Sequence, residues 1–273
     1  MFVRILSDVH LELCNNGLKL MRNLLPAKPL LDHSLILTGD IGNPTTKLYK
    51  QFITEMSKCY VKVFIVSGNH EYYQPAHKVY NHEQKRMGYQ QGINMENIDK
   101  IIREFTTTLP NVHFLQRDSV IFDRIRFLGC TLWTIPDPTA TSSMNDYKMI
   151  PGMTVSKCNE LYNENVQWLS QELSLKTEEF DSTIVITHHL PSYSLISSVY
   201  KGDPLNAFYA SNLDHLVNQA NIWVCGHSHT PKQLKIGECQ CYINPVGYTS
   251  EQTGYNKDIS IAIETIINSR KLE

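Results

Sequence analysis

Short runs of apolar and β-branched residues recur along this 273-residue chain, and stretches of helical periodicity separate them. Runs of this length and composition predict buried strands. They occupy residues 2–6, 34–38, 61–66, 125–130, 183–187, 222–225, 241–244 and 259–263. Because strands that alternate with helices are typical of layered α/β proteins, the pattern predicts an α/β fold.

Apolar residues at helical spacing predict four helices that each pack one face on the core. These stripes run from Leu48 to Cys59, from Ile98 to Phe105, from Tyr162 to Leu173 and from Leu205 to Val217. Residues 112–131 instead predict two or three successive strands, an antiparallel meander with turns near Asp118 and Asp123. Residues 74–91 and 135–152 are expected to be irregular insertions. No linker is evident, so we expect one domain that spans residues 1–273.

The composition narrows the classes of function. Lys and Arg total 25 and Asp and Glu total 27, and a formal net charge of −2 does not favour non-specific binding to a long nucleic acid. The first apolar run ends at Ser7, too early for a signal-peptide core, and no run is long enough to cross a bilayer. The 7 cysteines are scattered, as expected for reduced thiols, so we expect a cytoplasmic protein without a membrane partner.

Five of the predicted strands end in residues that commonly bind metal ions. Any one of these groups is more often a turn or a surface loop than a site. In open α/β sheets, however, ligands bind beyond the carboxyl ends of the strands, so neighbouring strands would bring all five groups together. The groups are Asp8-Val9-His10, Gly39-Asp40, Gly68-Asn69-His70-Glu71, His188-His189 and Gly226-His227-Ser228-His229.

The ligand types in these groups are carboxylate, amide and imidazole, without a thiolate. This set argues against a closed, cysteine-based structural zinc site and suits manganese, iron, zinc or nickel. Two carboxylates with several imidazoles exceed what one ion needs. A site with two ions about 3.5–4 Å apart needs a bridging group, and the two oxygens of an Asp can fill that place.

Taken in order, the five groups resemble the pattern of the calcineurin-like metallophosphoesterase superfamily. That pattern is Asp-x-His, Gly-Asp, Gly-Asn-His-(Asp or Glu), His and Gly-His-x-His, and all five parts are present here. Residues 127–133, 144–147, 187–192 and 244–248 are similar to single-domain bacterial and viral members. The resemblance implies a four-layer α-β-β-α sandwich with the site at one edge.

The resemblance also implies a role for each matching residue. The first divalent ion would be held by Asp8, His10 and His229. The second would be held by Asn69, His188 and His227, and Asp40 would bridge the two. His70 would face the substrate as the general acid, and Glu71 would orient it by accepting its other ring proton. His189 is not a ligand in the family pattern and is expected to be structural.

The implied activity is hydrolysis of a phosphate ester by a metal-bridging hydroxide, with manganese favoured over iron, zinc or nickel. A phosphodiesterase acting on a nucleotide or small diester is favoured, a phosphomonoesterase is the alternative, and an inactive scaffold protein is an alternative of a different class. Residues 41–44 replace the Asp-Arg-Gly signature of the serine/threonine protein phosphatases, which counts against that branch. The oligomeric state is left open.

Loops around the metal ions are expected to set the substrate specificity. Residues 135–152 and 193–210 are the loops that we expect to do so, because both are polar and lie near a motif or a strand end. Candidates for contact with the leaving group are Asn43, Asn145, Tyr147 and Asn206.

Overall fold

The computed structural model describes residues 1–74, 85–86, 88–175 and 177–263. Its helices are α1 (Gly17–Leu24), α2 (Lys47–Cys59), α3 (Met95–Thr106), α4 (Asp146–Met149), α5 (Val155–Ser174) and α6 (Asp214–Val217). Its strands are β1 (Phe2–Leu6), β2 (Leu30–Leu37), β3 (Tyr60–Ile65), β4 (Val112–Phe114), β5 (Asp118–Phe122), β6 (Ile125–Cys130), β7 (Ser182–Thr187), β8 (Ile222–Cys225), β9 (Lys232–Ile236), β10 (Cys239–Ile243) and β11 (Ser260–Ala262).

Within the described residues the strands form two mixed sheets. The first has the order β11-β1-β2-β3-β4, and the second has the order β5-β6-β7-β8-β10-β9. In the first sheet β1 to β4 pair in parallel, and in the second β6, β7, β8 and β10 do so. The antiparallel strands β5, β9 and β11 lie at sheet edges. The carboxyl ends of the parallel strands therefore gather at one edge of each sheet.

The two sheets pack face to face on an apolar layer. Phe64 of β3 and Phe127 of β6 stack across it, with ring centroids 3.9 Å apart and planes inclined by 14°. Helices cover the outer faces: α1, α2 and α3 pack on the first sheet, and α6 packs on the second. Helix α5 contributes to both outer layers, with Leu161 in one and Leu169 in the other. The chain is thus a sandwich of helices, two sheets and helices.

All the predicted strands and three of the predicted helices are present, with ends that differ by a few residues. The helix predicted from Leu205 to Val217 is wrong. A 3-10 helix at Pro204–Phe208 and α6 replace it, because Ser211 N–H donates to the Leu190 carbonyl and pulls the intervening chain out of helical geometry. The turn at Asp123 joins β5 and β6 as predicted, but β4 pairs in parallel with β3 in the other sheet.

Helix α1, which Asn16 caps by accepting from Lys19 N–H, and the edge strand β9 were not predicted. The insertion expected at residues 135–152 contains the short helix α4, and most of the insertion expected at residues 74–91 lies outside the described residues. None of the helices searched, all within the described residues, is long and apolar enough to span a bilayer.

Replacement of Phe127 by alanine should lower the free energy of unfolding by about 3–5 kcal/mol, because it leaves a cavity between the sheets opposite Phe64. Urea denaturation followed by circular dichroism measures this. Ile121→Ala on the edge strand β5 is the control: Ile121 is 43% exposed, and we expect a change below about 1 kcal/mol. Equal losses in both variants would contradict the packing described here.

Candidate metal centre

The seven predicted metal ligands come together where strands of the two sheets end. Asp8 and His10 follow β1, Asp40 follows β2, Asn69 follows β3, His188 follows β7, and His227 and His229 follow β8. The loops are tied to one another through the backbone. Asp8 N–H donates to the Gly39 carbonyl at 3.1 Å, and Gly226 N–H donates to the His188 carbonyl at 2.9 Å.

Five of these seven residues hold a left-handed backbone conformation. Their φ angles lie between 48° and 65°, where side chains with a Cβ are disfavoured, and the residues are Asp8, His10, Asp40, His227 and His229. Such conformations cost roughly 1–3 kcal/mol each and persist only where the surrounding structure enforces them. Their concentration in one place indicates that the loops are held in position for a function.

Around Asp40 the ligand atoms separate into two groups. In the first, His10 Nε2 lies 3.0 Å from His229 Nε2 and 3.8 Å from Asp40 Oδ2. His229 Nε2 lies 3.6 Å from Asp8 Oδ1. This group contains the residues expected to hold the first ion.

The second group forms on the other oxygen of the same carboxylate. His188 Nε2 lies 3.4 Å from Asp40 Oδ1, 3.0 Å from Asn69 Oδ1 and 3.1 Å from His227 Nδ1. Each Asp40 oxygen therefore faces a different group, which is the arrangement that a bridging ligand requires.

Hydrogen bonds at the far side of three imidazole rings fix which nitrogen carries the proton. His188 Nδ1 is 2.8 Å from the Thr38 carbonyl oxygen, His10 Nδ1 is 3.3 Å from Glu12 Oε1, and His229 Nδ1 is 2.7 Å from Glu251 Oε2. These oxygens only accept, so each Nδ1 donates and, in the neutral ring, each Nε2 presents a lone pair to the site.

Acceptor atoms thus converge when the rings are neutral, and this tests the fit of a cation. The Nε2 lone pairs of His10 and His229 face each other at 3.0 Å, and the buried Asp8 Oδ2 lacks a hydrogen-bond partner among the described residues. Such an arrangement is repulsive unless positive charge lies inside it. The nitrogen and oxygen donor set fits divalent ions of the manganese, iron or zinc type.

The raised pKa of His188 indicates the same need for positive charge at the site. Burial opposes a charge on His188, but the neighbouring Asp40 carboxylate outweighs burial and raises the pKa of His188 to about 9. A divalent ion at this position would take the place of that proton.

Asn69 is turned towards the site by a buried carboxylate that sequence reasoning did not assign. Asn69 Nδ2 donates to Asp146 Oδ1 at 2.8 Å, and Tyr73 Oη donates to the same oxygen at 2.6 Å. The Asn69 carbonyl oxygen must therefore point at His188. Burial raises the pKa of Asp146, although both hydrogen bonds oppose that rise.

Glu71 does not orient His70, so that prediction is wrong. Its carboxylate accepts backbone N–H groups of the metal-binding loops, at 2.7 Å from Ile41, 2.7 Å from Gly68 and 2.9 Å from Asp40. Burial, together with the charge of Asp40, raises the pKa of Glu71 to about 7. Through its hydrogen bonds to these N–H groups, Glu71 holds the backbone that carries Asp40.

Glu12, rather than Glu71, has the predicted role of orienting His70. Its Oε1 accepts from His70 Nδ1 at 2.9 Å and from His10 Nδ1 at 3.3 Å, so one carboxylate oxygen joins the predicted general acid to a predicted metal ligand. His70 Nε2 is left facing the cleft, 3.5 Å from Tyr248 Oη. Burial opposes a charge on His70, but Asp40 and Glu12 outweigh it and raise its pKa to about 9.

His189 lies beside the site without joining either group of ligands. Its Nδ1 is 3.2 Å from the Thr131 carbonyl oxygen, and its ring packs against Trp133. Burial lowers the pKa of His189 to about 3, so the ring is neutral at physiological pH.

A cleft of about 560 Å³ opens from the ligand groups, and only two of the four predicted substrate contacts line it. Asn145 and Asn206 are in its wall. The prediction for Asn43 is wrong, because its amide is buried between the Tyr73 carbonyl and Thr45. The prediction for Tyr147 is also wrong, because its half-buried ring packs against the core, edge-on to Phe208, and does not line the cleft.

Residues 3–231 match the family model of the calcineurin-like phosphoesterases. The chain belongs to that family. One relative, the uncharacterized protein L509 of Acanthamoeba polyphaga mimivirus, is 27% identical over 289 residues, which cover 97% of this chain and 98% of L509. The phosphopantetheinyl hydrolase PptH of Mycobacterium tuberculosis has a similar fold, with a TM-score of 0.66 and 16% identity, over 92% of this chain and 93% of PptH.

Sequence reasoning missed the residues that hold the ligands of this calcineurin-like site in place. The sequence offered a signal for Glu12, because it lies two residues after His10, just beyond the group Asp8-Val9-His10. Asp146 lies in a segment that resembles family members, but the sequence pattern favoured its neighbours Asn145 and Tyr147 as functional residues. Glu251 lies in a loop without a distinguishing pattern, so only the structure reveals it.

Glu71→Gln should weaken metal binding by about 10–100-fold, because an amide NH₂ would face backbone N–H groups and release the Asp40 loop. Competition with a chromogenic chelator measures the affinity. Glu160→Gln, an exposed substitution on α5, is the control and should bind metal like the parent. Unchanged affinity in a normally folded Glu71→Gln protein would contradict the role of Glu71.

Proposed function

We propose that this calcineurin-like phosphoesterase is a dinuclear, metal-dependent phosphodiesterase that acts on a nucleotide or another small diester. The observation that carries the proposal is the Asp40 carboxylate, whose oxygens face two separate groups of lone pairs at 3.8 Å and 3.4 Å. All the ligand positions of the family pattern are filled, which disfavours an inactive scaffold protein.

Two bound divalent cations, with manganese favoured over iron, zinc and nickel, would supply water of lowered pKa and positive charge against the phosphoryl oxygens. Asp8, His10 and His229 would hold one ion and Asn69, His188 and His227 the other, with Asp40 between them. Glu12, Glu251 and the Thr38 carbonyl keep three of these rings turned with Nε2 inward.

His70 is placed to hold a proton where a leaving alkoxide would form. Its Nδ1 is fixed on Glu12, and its Nε2 faces the cleft next to the ligand groups. Its backbone N–H donates to Asp40 Oδ1 at 2.8 Å, so the ring keeps a fixed position relative to the bridging carboxylate. A proton on Nε2 can pass to the departing alkoxide, which is the role of a general acid.

The charge of the cleft favours a diester over a monoester. The described residues that line it include the carboxylates of Asp203 and Glu251 and neither Lys nor Arg. A monoester carries more negative charge than a diester, and beyond the metal ions and His70 the charged side chains that it would meet are carboxylates. A phosphomonoesterase stays the alternative, since the metal ions themselves can offset this charge.

We expect the metal-loaded protein to hydrolyse bis(p-nitrophenyl) phosphate with a higher kcat/KM than p-nitrophenyl phosphate. Chelation should abolish both activities, and manganese should restore them. Asp40→Ala should lose metal and activity together, which element analysis of the purified variant checks. A higher kcat/KM for the monoester would establish the phosphomonoesterase instead, and full activity in chelator would overturn the metal mechanism.

His70→Ala should keep its metal and lower kcat for an alkyl-ester diester by about 10²–10⁴-fold. The loss should be much smaller for a p-nitrophenyl diester, because that leaving group departs without a proton. His215→Ala removes an exposed histidine of α6 and is the matched control. Equal losses on both substrates would contradict general-acid catalysis by His70.

The same assay separates positioning of His70 by Glu12 from a structural effect. Glu12→Gln should lower kcat for the alkyl ester in the parent protein but have little further effect in the His70→Ala background, because it acts through His70. Additive losses in the double variant would show that Glu12 acts elsewhere, for example through His10.

A further inference from the structure

The cleft extends well beyond the space that a phosphate group needs. Its volume of about 560 Å³ falls in the range of sites for drug-sized ligands. Besides the ligand groups and the tyrosines that pack on them, its wall includes residues of three loops, 143–145, 196–206 and 251–253. A substrate with its phosphate on the metal ions would therefore place one of its alcohols against these loops.

Charge limits what that alcohol can be. Among the lining residues that the structure describes, Asp40, Asp203 and Glu251 are acidic and none is Lys or Arg. Lys232, a nearby cation, is turned away, since its ammonium donates to the carbonyls of Ser194 and Ile196. A second phosphate on the substrate would lie in this cleft without a cationic partner, so the alcohol is expected to lack further negative charge.

Tyr200 places an aromatic ring at the edge of the cleft. The side chain is 55% exposed although its backbone is fixed, since its carbonyl accepts from Asn206 Nδ2 at 2.7 Å. Tyr73, Tyr209 and Tyr248 pack on histidines of the site, whereas the Tyr200 ring is left open to the cleft. An exposed ring on a rigid support is suited to stacking on a planar group.

Two amides near Tyr200 can pair with the edge of such a group. The Asn145 side chain is exposed and makes no hydrogen bond within the described part of the chain. Asn206 donates to the Tyr200 carbonyl through Nδ2, which leaves Oδ1 to accept. Together they offer donors and acceptors to the polar edge of a heterocycle.

We infer that the cleft binds a phosphodiester through a neutral planar heterocycle of the nucleoside type, stacked on Tyr200 and paired along its edge with Asn145 and Asn206. This inference rests on the proposed phosphodiesterase function. It adds that a single phosphate is accepted and that a second one is rejected.

Four chromogenic diesters with the same p-nitrophenyl leaving group test the inference. Their second alcohols are methanol, choline, thymidine (through its 5′ oxygen) and thymidine 3′-phosphate. The thymidine ester should have a KM at least about 10-fold below the methyl ester, and the added 3′-phosphate should raise it again. The lowest KM for the choline ester, or for the 3′-phosphorylated ester, would overturn the inference.

The variant Tyr200→Ala should raise KM for the thymidine ester by roughly 5–150-fold more than it raises KM for the methyl ester. Tyr193→Ala is the matched control, because Tyr193 is 48% exposed but does not line the cleft. If Tyr200→Ala and Tyr193→Ala behave alike, the stacking contact does not exist and the inference fails, while hydrolysis of the methyl ester would leave the phosphodiesterase assignment standing.

If none of the four esters is hydrolysed, the proposed phosphodiesterase function is wrong. Equilibrium dialysis of thymidine against the metal-loaded protein then tests the heterocycle site separately. Thymidine binding that Tyr200→Ala weakens and Tyr193→Ala does not would still support the heterocycle site. Absence of thymidine binding to the parent protein would overturn it.

Discussion

Repulsion among inward-facing lone pairs is the constraint on which the rest of this structure depends. The Asp40 carboxylate lies between imidazole nitrogens that approach its oxygens to 3.8 Å and 3.4 Å, and two of those rings face other acceptors at 3.0 Å. Buried acceptors without a donor are unfavourable unless a cation lies among them. The site therefore requires both bound positive charge and a scaffold that holds its ligands close together.

The scaffold does this by combining rigid strands with loops in unfavourable conformations. Parallel strands of both sheets end at the site, and the left-handed residues that follow them turn the ligand side chains inward. Glu71 ties the Asp40 and Gly68 loops together, and Glu12, Glu251 and Asp146 fix the side chains of the ligands. Because nearly every ligand has such a partner, small changes outside the ligands should affect metal binding and catalysis.

The ligands could be predicted from the sequence because each follows a recognisable strand, whereas their partners could not. Glu71 follows His70 directly, but successive side chains of a 3-10 helix point about 120° apart, so it reaches the backbone of Asp40 instead. Asn43 and Tyr147 looked like loop residues, yet folding buries Asn43 and packs the half-buried Tyr147 against the core. Local pattern also could not show that β4 joins a different sheet from β5, because that depends on pairing with β3.

Anomalous diffraction from a crystal grown with manganese tests the central claim most directly. We expect two anomalous peaks about 3.5–4 Å apart, one on each side of the Asp40 carboxylate. One peak should lie among Asp8, His10 and His229, and the other among Asn69, His188 and His227. A single peak, or peaks that Asp40 does not contact, would contradict the account.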